Sequence, residues 1–412
     1  MLAILAAAAA AGVYMEVQRH QHPGLSTATA SAPAVPASAA ATGAEVPPPH
    51  LATRSEVKST LATLEHDVKA GASDAKMPWA LAHGLLAFGP HFEADDGRPA
   101  VDVIASFAVR KRVDGKTLYD FPEKKGDSLV ESHDNLQVKS MLDAGVPLDR
   151  KLVTADATQV TLARLVHDMQ RTAHVPANDA DWHQEAWTLS AWVLDQRLGD
   201  KDKLESAVNP AKLRAAALTR LEQDDQVLTD FHGDPTGAFD PGSPLRQAKQ
   251  KRTGIYGHSC GGLHLVQAVI QSVMQGGDAA QKRRLRKQLG VLLFRYEAER
   301  HAYAELLARH PEAGLVLRAQ QQKFFGHLLE TLGLARSLGA YDTRSEGGRH
   351  IDRVMLEAAG DLANTVKELS RGGVYQRLDA IRKQREQTYL DLIGDGCHAI
   401  RGLRRTLAVL PR

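Results

Sequence analysis

The chain has 412 residues, with 51 Lys and Arg against 49 Asp and Glu, 43% hydrophobic residues, 5% aromatics and two cysteines. That length can bury a substantial core, and the near-balanced charge supplies no global basic field, so nucleic acid is not an expected partner. Two cysteines, Cys260 and Cys397, exclude a disulfide scaffold, and an alanine-rich hydrophobic count with few aromatics favours helix over sheet.

Residues 1–23 open with the uncharged apolar run from Met1 to Met15 (MLAILAAAAAAGVYM), the length of a signal-peptide core or short membrane anchor. Residues 24–50 are Ala, Pro, Ser and Thr with almost no large apolar side chain, a composition that cannot offset backbone ordering and predicts a linker. Together they predict a body anchored at a bacterial inner membrane or exported to the periplasm, with membrane contact through the N-terminal segment only. No later break resembles a second long linker, so residues 51–412 are expected to form a single helical domain.

From Leu51 onward apolar residues recur at three- and four-residue spacing, as in Val57, Leu61, Leu64 and Val68, which predicts amphipathic helices. Between Val101 and Phe121, Asp114-Gly115 separates the arms SFAVRKRV and KTLYDF and predicts a small β-hairpin with a type I′ turn. Loops are expected at Gly89-Pro90, Asp96 to Pro99, Gly145 to Pro147, His232 to Pro244, Gly276-Gly277 and Gly347-Gly348. The basic run from Lys282 to Lys287 and the C-terminal Arg401, Arg404 and Arg405 read as solvated helix faces.

Four helical segments share an unusual composition: Pro78 to Gly89, Trp182 to Leu194, Tyr256 to Ile270 and Phe325 to Leu338. Each sets His, Trp or Cys among small residues, and the pairs Trp79 with His83, His183 with Trp187, Cys260 with His264, and His327 with Glu330 fall three or four apart, on one helix face. Inner helices around a shared centre would have this pattern.

The sharpest motif is His258-Ser259-Cys260-Gly261-Gly262-Leu263-His264. Cys260 and His264, one turn apart, are candidate ligands of one metal, with zinc the soft-ligand choice and His258 a candidate third donor. Alternatively Cys260 is a nucleophile near a helix N-terminus with His258 or His264 as base, or a small buried side chain in a tightly packed turn. Glu185, among Trp182, Trp187 and Trp192, is a candidate general acid or base if desolvation raises its pKa, or a first-turn acid favoured by the helix dipole. His83 and His327 complete the catalytic candidates His83, Glu185, His258, Cys260, His264 and His327, with Trp79, His183, Trp187 and Glu330 as candidate ligand contacts. Glu330, one turn from His327, suits a proton relay or the orienter of a ligating histidine.

Segments such as GHSCGGLHLVQAV and GHLLETLGLARSLGAYD, within Met77 to Tyr341, resemble the α/α toroid group that includes terpenoid cyclases and protein prenyltransferases. The likeness is closer to bacterial envelope proteins related to that fold that carry CGG-x-H and GH-x-LE helices. It implies an all-α chain arranged as a toroid or incomplete toroid of helical hairpins. Where prenyltransferases bind zinc through an Asp-x-Cys pair, this chain has His258 two before Cys260, which tells against prenyl transfer, and Asp95-Asp96 sits in a turn and makes no Asp-rich cyclase motif. The resulting expectation is an envelope enzyme using a central His/Cys/Glu cavity for acid-base or metal-assisted chemistry on a small or carbohydrate-like ligand. The alternative is a non-catalytic binding or scaffold module of the cell envelope.

Overall fold

The computed structural model describes residues 46–177, 182–198, 208–240 and 242–410. The protein is all-α in class, with three small two-stranded sheets. Among the described residues no helix is long and apolar enough to cross a membrane.

Helix α1, Arg54–Ala72, starts at a capping box in which Thr53 and Glu56 satisfy each other's backbone donors. Helix α2, Pro78–Phe88, has proline in its first turn, where the missing N–H costs nothing. A short helix α3, Ala100–Ala105, leads into strands β1, Val109–Val113, and β2, Lys116–Asp120. Val113 pairs with Lys116, and Asp114 and Gly115 both have positive φ, 49° and 75°, so the expected type I′ hairpin forms. Strands β3, Lys124–Lys125, and β4, Ser128–Leu129, make a second minimal pair before helix α4, Leu136–Asp143. Strands β5, Lys151–Val153, and β6, Gln159–Thr161, then feed helix α5, Leu162–Thr172.

The remaining helices are α6 Trp182–Leu198, α7 Pro210–Asp224, α8 Gln226–His232, α9 Pro244–Lys251, α10 Leu263–Gly276, α11 Ala279–Arg309, α12 Gly314–Ser337 and α13 Glu346–Arg371. Helices α14, Leu378–Gln384, and α15, Glu386–Leu390, follow. A π-helical turn, Asp391–Asp395, then joins them to α16, Gly396–Leu407.

Six of these helices form a closed circuit of contacts: α2 packs on α4, α4 on α6, α6 on α10, α10 on α12, α12 on α16, and α16 on α2. Burial separates this circuit from the rest. Every residue of α2 from Pro78 to Ala87, and of α10 from Leu263 to Val273, is buried, as expected of helices enclosed on all sides. By contrast α13 buries one stripe, Ile351, Val354, Met355, Ala358, Ala359 and Leu362, and presents its other face to solvent. In α11 the basic run behaves as expected: Leu285 and Leu289 are buried while Arg283, Arg286 and Lys287 are exposed.

Small residues set the closest approach in the circuit. A Cβ on Gly402 would stand 2.7 Å from Leu329 Cβ and 2.8 Å from the Gly326 carbonyl oxygen, and one on Gly326 would stand 2.8 Å from Ala399 Cβ. Helices α12 and α16 therefore run almost backbone to backbone.

Three expectations are corrected here. Gly347-Gly348 is no loop but the first turn of α13, where a Cβ on Gly348 would collide with the Asp342 carbonyl. The C-terminal arginines form a solvated face only at the exposed Arg404, and all three are bonded to the body: Arg401 binds Asp143, Arg404 donates to the Ala87 carbonyl and to Glu65, and Arg405 donates to the Glu330 carbonyl. They tie the last helix to four others. The end of the expected linker is also docked, since Arg300 holds the Pro47 carbonyl and His50 meets Glu56. Residues 1–45 lie outside the described residues.

Candidate functional site

The circuit's helices point a polar cluster at their common centre. His83 comes from α2, His264 from α10, His327 and Glu330 from α12, and His398 from α16. The His327 and His398 rings are 4.0 Å apart, His264 lies 4.7 Å from His327 and 5.1 Å from His398, and His83 lies 5.4 Å from His398. Trp79 leans on His83 at 4.2 Å, and Trp187 of α6 leans on His264 at 4.5 Å while stacking on His133 at 3.8 Å.

Cys260 reaches this cluster by an unexpected route. The segment from Tyr256 to Ile270 is not one helix: two 3₁₀ turns, Gly254–Gly257 and Ser259–Gly262, precede α10. Cys260, Gly261 and Gly262 are all left-handed, with φ of 49°, 58° and 74°. The glycines adopt this freely, and the space a Gly262 Cβ would fill is taken by Ile255. For Cys260 the same conformation costs about 1–2 kcal/mol. Cys260 is therefore presented on a turn above the helix instead of one turn before His264 along it. Its sulfur lies 4.0 Å from Asp395 Oδ1, the oxygen that also stands 3.0 Å from His327 Nε2. Cys260 is half-buried, whereas Cys397 is fully buried; both are free thiols.

Two ionic groups flank the histidines. On one side Lys323 faces Asp391 at 3.2 Å and Asp395 at 3.6 Å, both carboxylates supplied by the π-helical turn. On the other, Glu330 accepts from His398 Nδ1 at 2.7 Å and faces Arg401 at 3.2 Å, which in turn binds Asp143 beside Lys139.

Charge follows from these neighbours. Burial works against a charged His327, yet Cys260 and Asp395 hold its pKa up to about 10. Burial, reinforced by that nearby charge, pushes His398 down to about 3 and His264 well below the usual imidazole range. Burial likewise takes His83 down to about 4, against the pull of its bond to the Trp79 carbonyl. The Glu330 carboxyl is buried too, but His398 and Arg401 keep it well below the ordinary carboxylate range. Lys323 stays charged in spite of burial because Asp391 and Asp395 face it. One imidazolium thus sits among three neutral imidazoles.

No known protein family, curated protein or solved structure matches this chain. The site stands on its own geometry.

Of the sequence candidates, Trp79, His83, Trp187, Cys260, His264, His327 and Glu330 meet in this cluster. Two others lie elsewhere. His258 is turned to Asp224, with Nε2 2.6 Å from Oδ2, so the third donor beside Cys260 and His264 is His327 instead. Glu185 is buried against His174, at 3.4 Å. The side chain of His183 lies outside the described residues. The rings' mutual contact also differs from the open central cavity expected: at 4.0–5.4 Å between centroids, no organic molecule fits among them.

Sequence reasoning missed Asp395, His398, Lys323, Asp391 and Arg401. One signal was present. Asp395-Gly396-Cys397-His398 has the same mixture of small and special residues as the four chosen segments, and its Asp-x-x-His spacing matches His327-x-x-Glu330.

Proposed function

We propose that the protein is an enzyme of the cell envelope, built as an α/α toroid, whose acid-base chemistry is carried by Cys260, His264, His327 and Asp395. The closed circuit of six helices, with α1, α11 and α13 packed outside it, supports the toroid. The observation that carries the enzyme reading is the meeting of a half-buried cysteine, a buried histidine and a carboxylate from three separate segments, next to the part-buried Lys323. Such a set moves protons and stabilises negative charge, as general acid-base catalysis requires. In this reading a small polar, carbohydrate-like ligand approaches from the side of the partly exposed Cys260 and presents hydroxyls to these groups. The apolar residues 1–15 serve export or anchoring in this reading.

The contact among the four imidazoles favours the rival, a non-catalytic envelope scaffold with a packed polar core. Alkylation by iodoacetamide of native, chelator-treated protein separates the two. In the enzyme reading Cys260 reacts readily while Cys397 stays intact, because burial raises its thiol pKa and denies access. A panel of oligosaccharides, aryl glycosides and esters should then include a compound turned over by the wild type and not by His327→Gln. If Cys260 reacts no faster than Cys397, the centre is closed and the scaffold reading replaces this one.

A further inference from the structure

We infer that the axial centre binds one zinc-class divalent metal ion through Cys260, His264, His327 and Asp395. Ligating atoms of Cys260, His264 and His327 all lie within 4.8 Å of one another. Asp395 Oδ1 supplies the fourth corner, 3.0 Å from His327 Nε2 and 4.0 Å from the Cys260 sulfur. A tetrahedron with zinc bonds to nitrogen and oxygen near 2.0 Å and to sulfur near 2.3 Å has edges of about 3.3–3.5 Å between these atoms. Side-chain movements that shorten these separations by up to about 1.5 Å close the set around one ion.

The way His327 is approached separates this from a Cys–His–Asp nucleophile arrangement. In such a triad cysteine and acid take opposite ring nitrogens. Here Asp395 binds Nε2 and the cysteine sulfur approaches that same carboxylate oxygen, while Nδ1, in a side chain with no exposure, has no hydrogen-bond partner. One carboxylate oxygen shared by the cysteine sulfur and Nε2 is the arrangement of groups gathered around a common ion. The vacant Nδ1 points along α12 to Glu330 Oε2, 3.9 Å away, the place of the carboxylate that orients a ligating histidine. Lys323, 3.6 Å from Asp395 Oδ2, holds the ligating carboxylate from behind.

A second triplet, His327, Glu330 and His398, also has ligating atoms within 4.8 Å. It does not form a second site, because Glu330 is already committed to His398 Nδ1 and to Arg401, and Lys139 and Arg405 add further positive charge nearby. A cysteine with two histidines and one carboxylate is a borderline-soft donor set and selects zinc over magnesium or calcium.

This inference rests on the axial centre being the working site, with the ion taking the place of the His327 proton, but the two fail separately. Metal-free Cys260 that alkylates readily in a protein that binds no metal leaves the acid-base reading standing and removes this one.

The test is titration of the chelator-treated full chain with Co(II), then Zn(II). One equivalent should bind, with thiolate-to-cobalt charge-transfer absorption and the intense visible bands of tetrahedral Co(II), and one equivalent of Zn(II) should displace it. Cys260→Ser should abolish the charge-transfer band, and Asp395→Asn and His264→Gln should each weaken binding, with helical circular dichroism retained. Glu330→Gln, which leaves all four ligands in place, should lower zinc affinity by about 10–100-fold. Absence of the charge-transfer band in the wild-type cobalt protein overturns the assignment whether or not any variant folds. So does a second bound equivalent that is lost in His398→Gln, which would fill both triplets.

Discussion

His398 and Glu330 stand 68 residues apart in the chain, and the imidazole Nδ1 donates to the carboxylate at 2.7 Å. The same separation of 68 joins His327 to Asp395. Because His327 precedes Glu330 by three residues on α12, and Asp395 precedes His398 by three at the start of α16, equal separations mean that the two helices run in the same direction. The link from Gln267 to Thr331, beside the contact of His264 with His327, gives α10 that direction as well. Parallel neighbours repeat one another's level, so residues at matching heights on successive helices meet at one plane across the axis.

Arg401 is held beneath that plane by Asp143 and Glu330. Asp143→Asn should leave a part-buried guanidinium undercompensated and destabilise the fold by about 1.5–3 kcal/mol. Urea unfolding checks this; a loss under about 1 kcal/mol would mean that Glu330 alone suffices for Arg401. Replacing Arg401 and Asp143 together by Met and Leu should cost less than the single change.

Gly402 lies where α16 passes closest to α12. Gly402→Ala should force the helices apart and cost about 1–3 kcal/mol, the usual range for overpacking. The same movement lengthens the His398–Glu330 bond, so the His398 imidazole signal in NMR should shift in the variant. An unchanged melting temperature would show that the contact relaxes without strain.

Two buried groups give opposite pH dependences. Burial, opposed by Arg295, raises the Asp225 carboxyl to about 7, above its unfolded value near 3.9, so the folded chain keeps a proton that the unfolded chain releases. Its contribution to stability is present below about pH 4 and is lost as pH rises toward 7. His83, at about 4 when folded against about 6.5 unfolded, contributes stability above pH 6.5 that is lost as pH falls toward 4. The two oppose each other between pH 4 and 7. Asp225→Asn should tilt the unfolding free energy upward with pH across that window, and His83→Gln should tilt it the other way. Identical slopes in parent and variants would refute both assignments.

Residues 46–50 belong energetically to the body. A chain beginning at Val46 keeps the bond from Arg300 to the Pro47 carbonyl, whereas one beginning at Leu51 loses it, with an expected cost of about 1 kcal/mol. Thr53→Ala removes the cap of α1 and should cost about 0.5–2 kcal/mol. Thermal melts of the two truncated chains and the variant measure both effects; equal melting temperatures for the two truncations would make the docking of 46–50 incidental.

Local chemistry was legible in the sequence. Asp114-Gly115 specified its hairpin because a type I′ turn needs two positive φ angles, and the three- and four-residue spacing of Val57, Leu64 and Val68 specified the buried stripe of α1. The pairing of Trp79 with His83 on one face of α2, and of His327 with Glu330 on one face of α12, followed from helical periodicity alone. The left-handed turn at Cys260 was half visible, since Gly261-Gly262 announces a break, but periodicity runs across it and suggests continuous helix.

Membership of the site was decided by packing. A helix's period says which residues share a face and is silent on which face meets which neighbour, or at what height. Asp395 and His398 entered because glycines at 326 and 402 let α12 and α16 close to backbone contact in parallel, which brings residues 68 apart to one level. His258 left because Asp224, on a different helix, offered its ring a buried partner. The arginines of α16 resembled a solvated face because their partners Asp143, Glu65 and the Ala87 carbonyl are more than 250 residues away in the chain. Sequence fixes side-chain direction within a helix through the backbone's own geometry; direction between helices exists only once the core has closed around them.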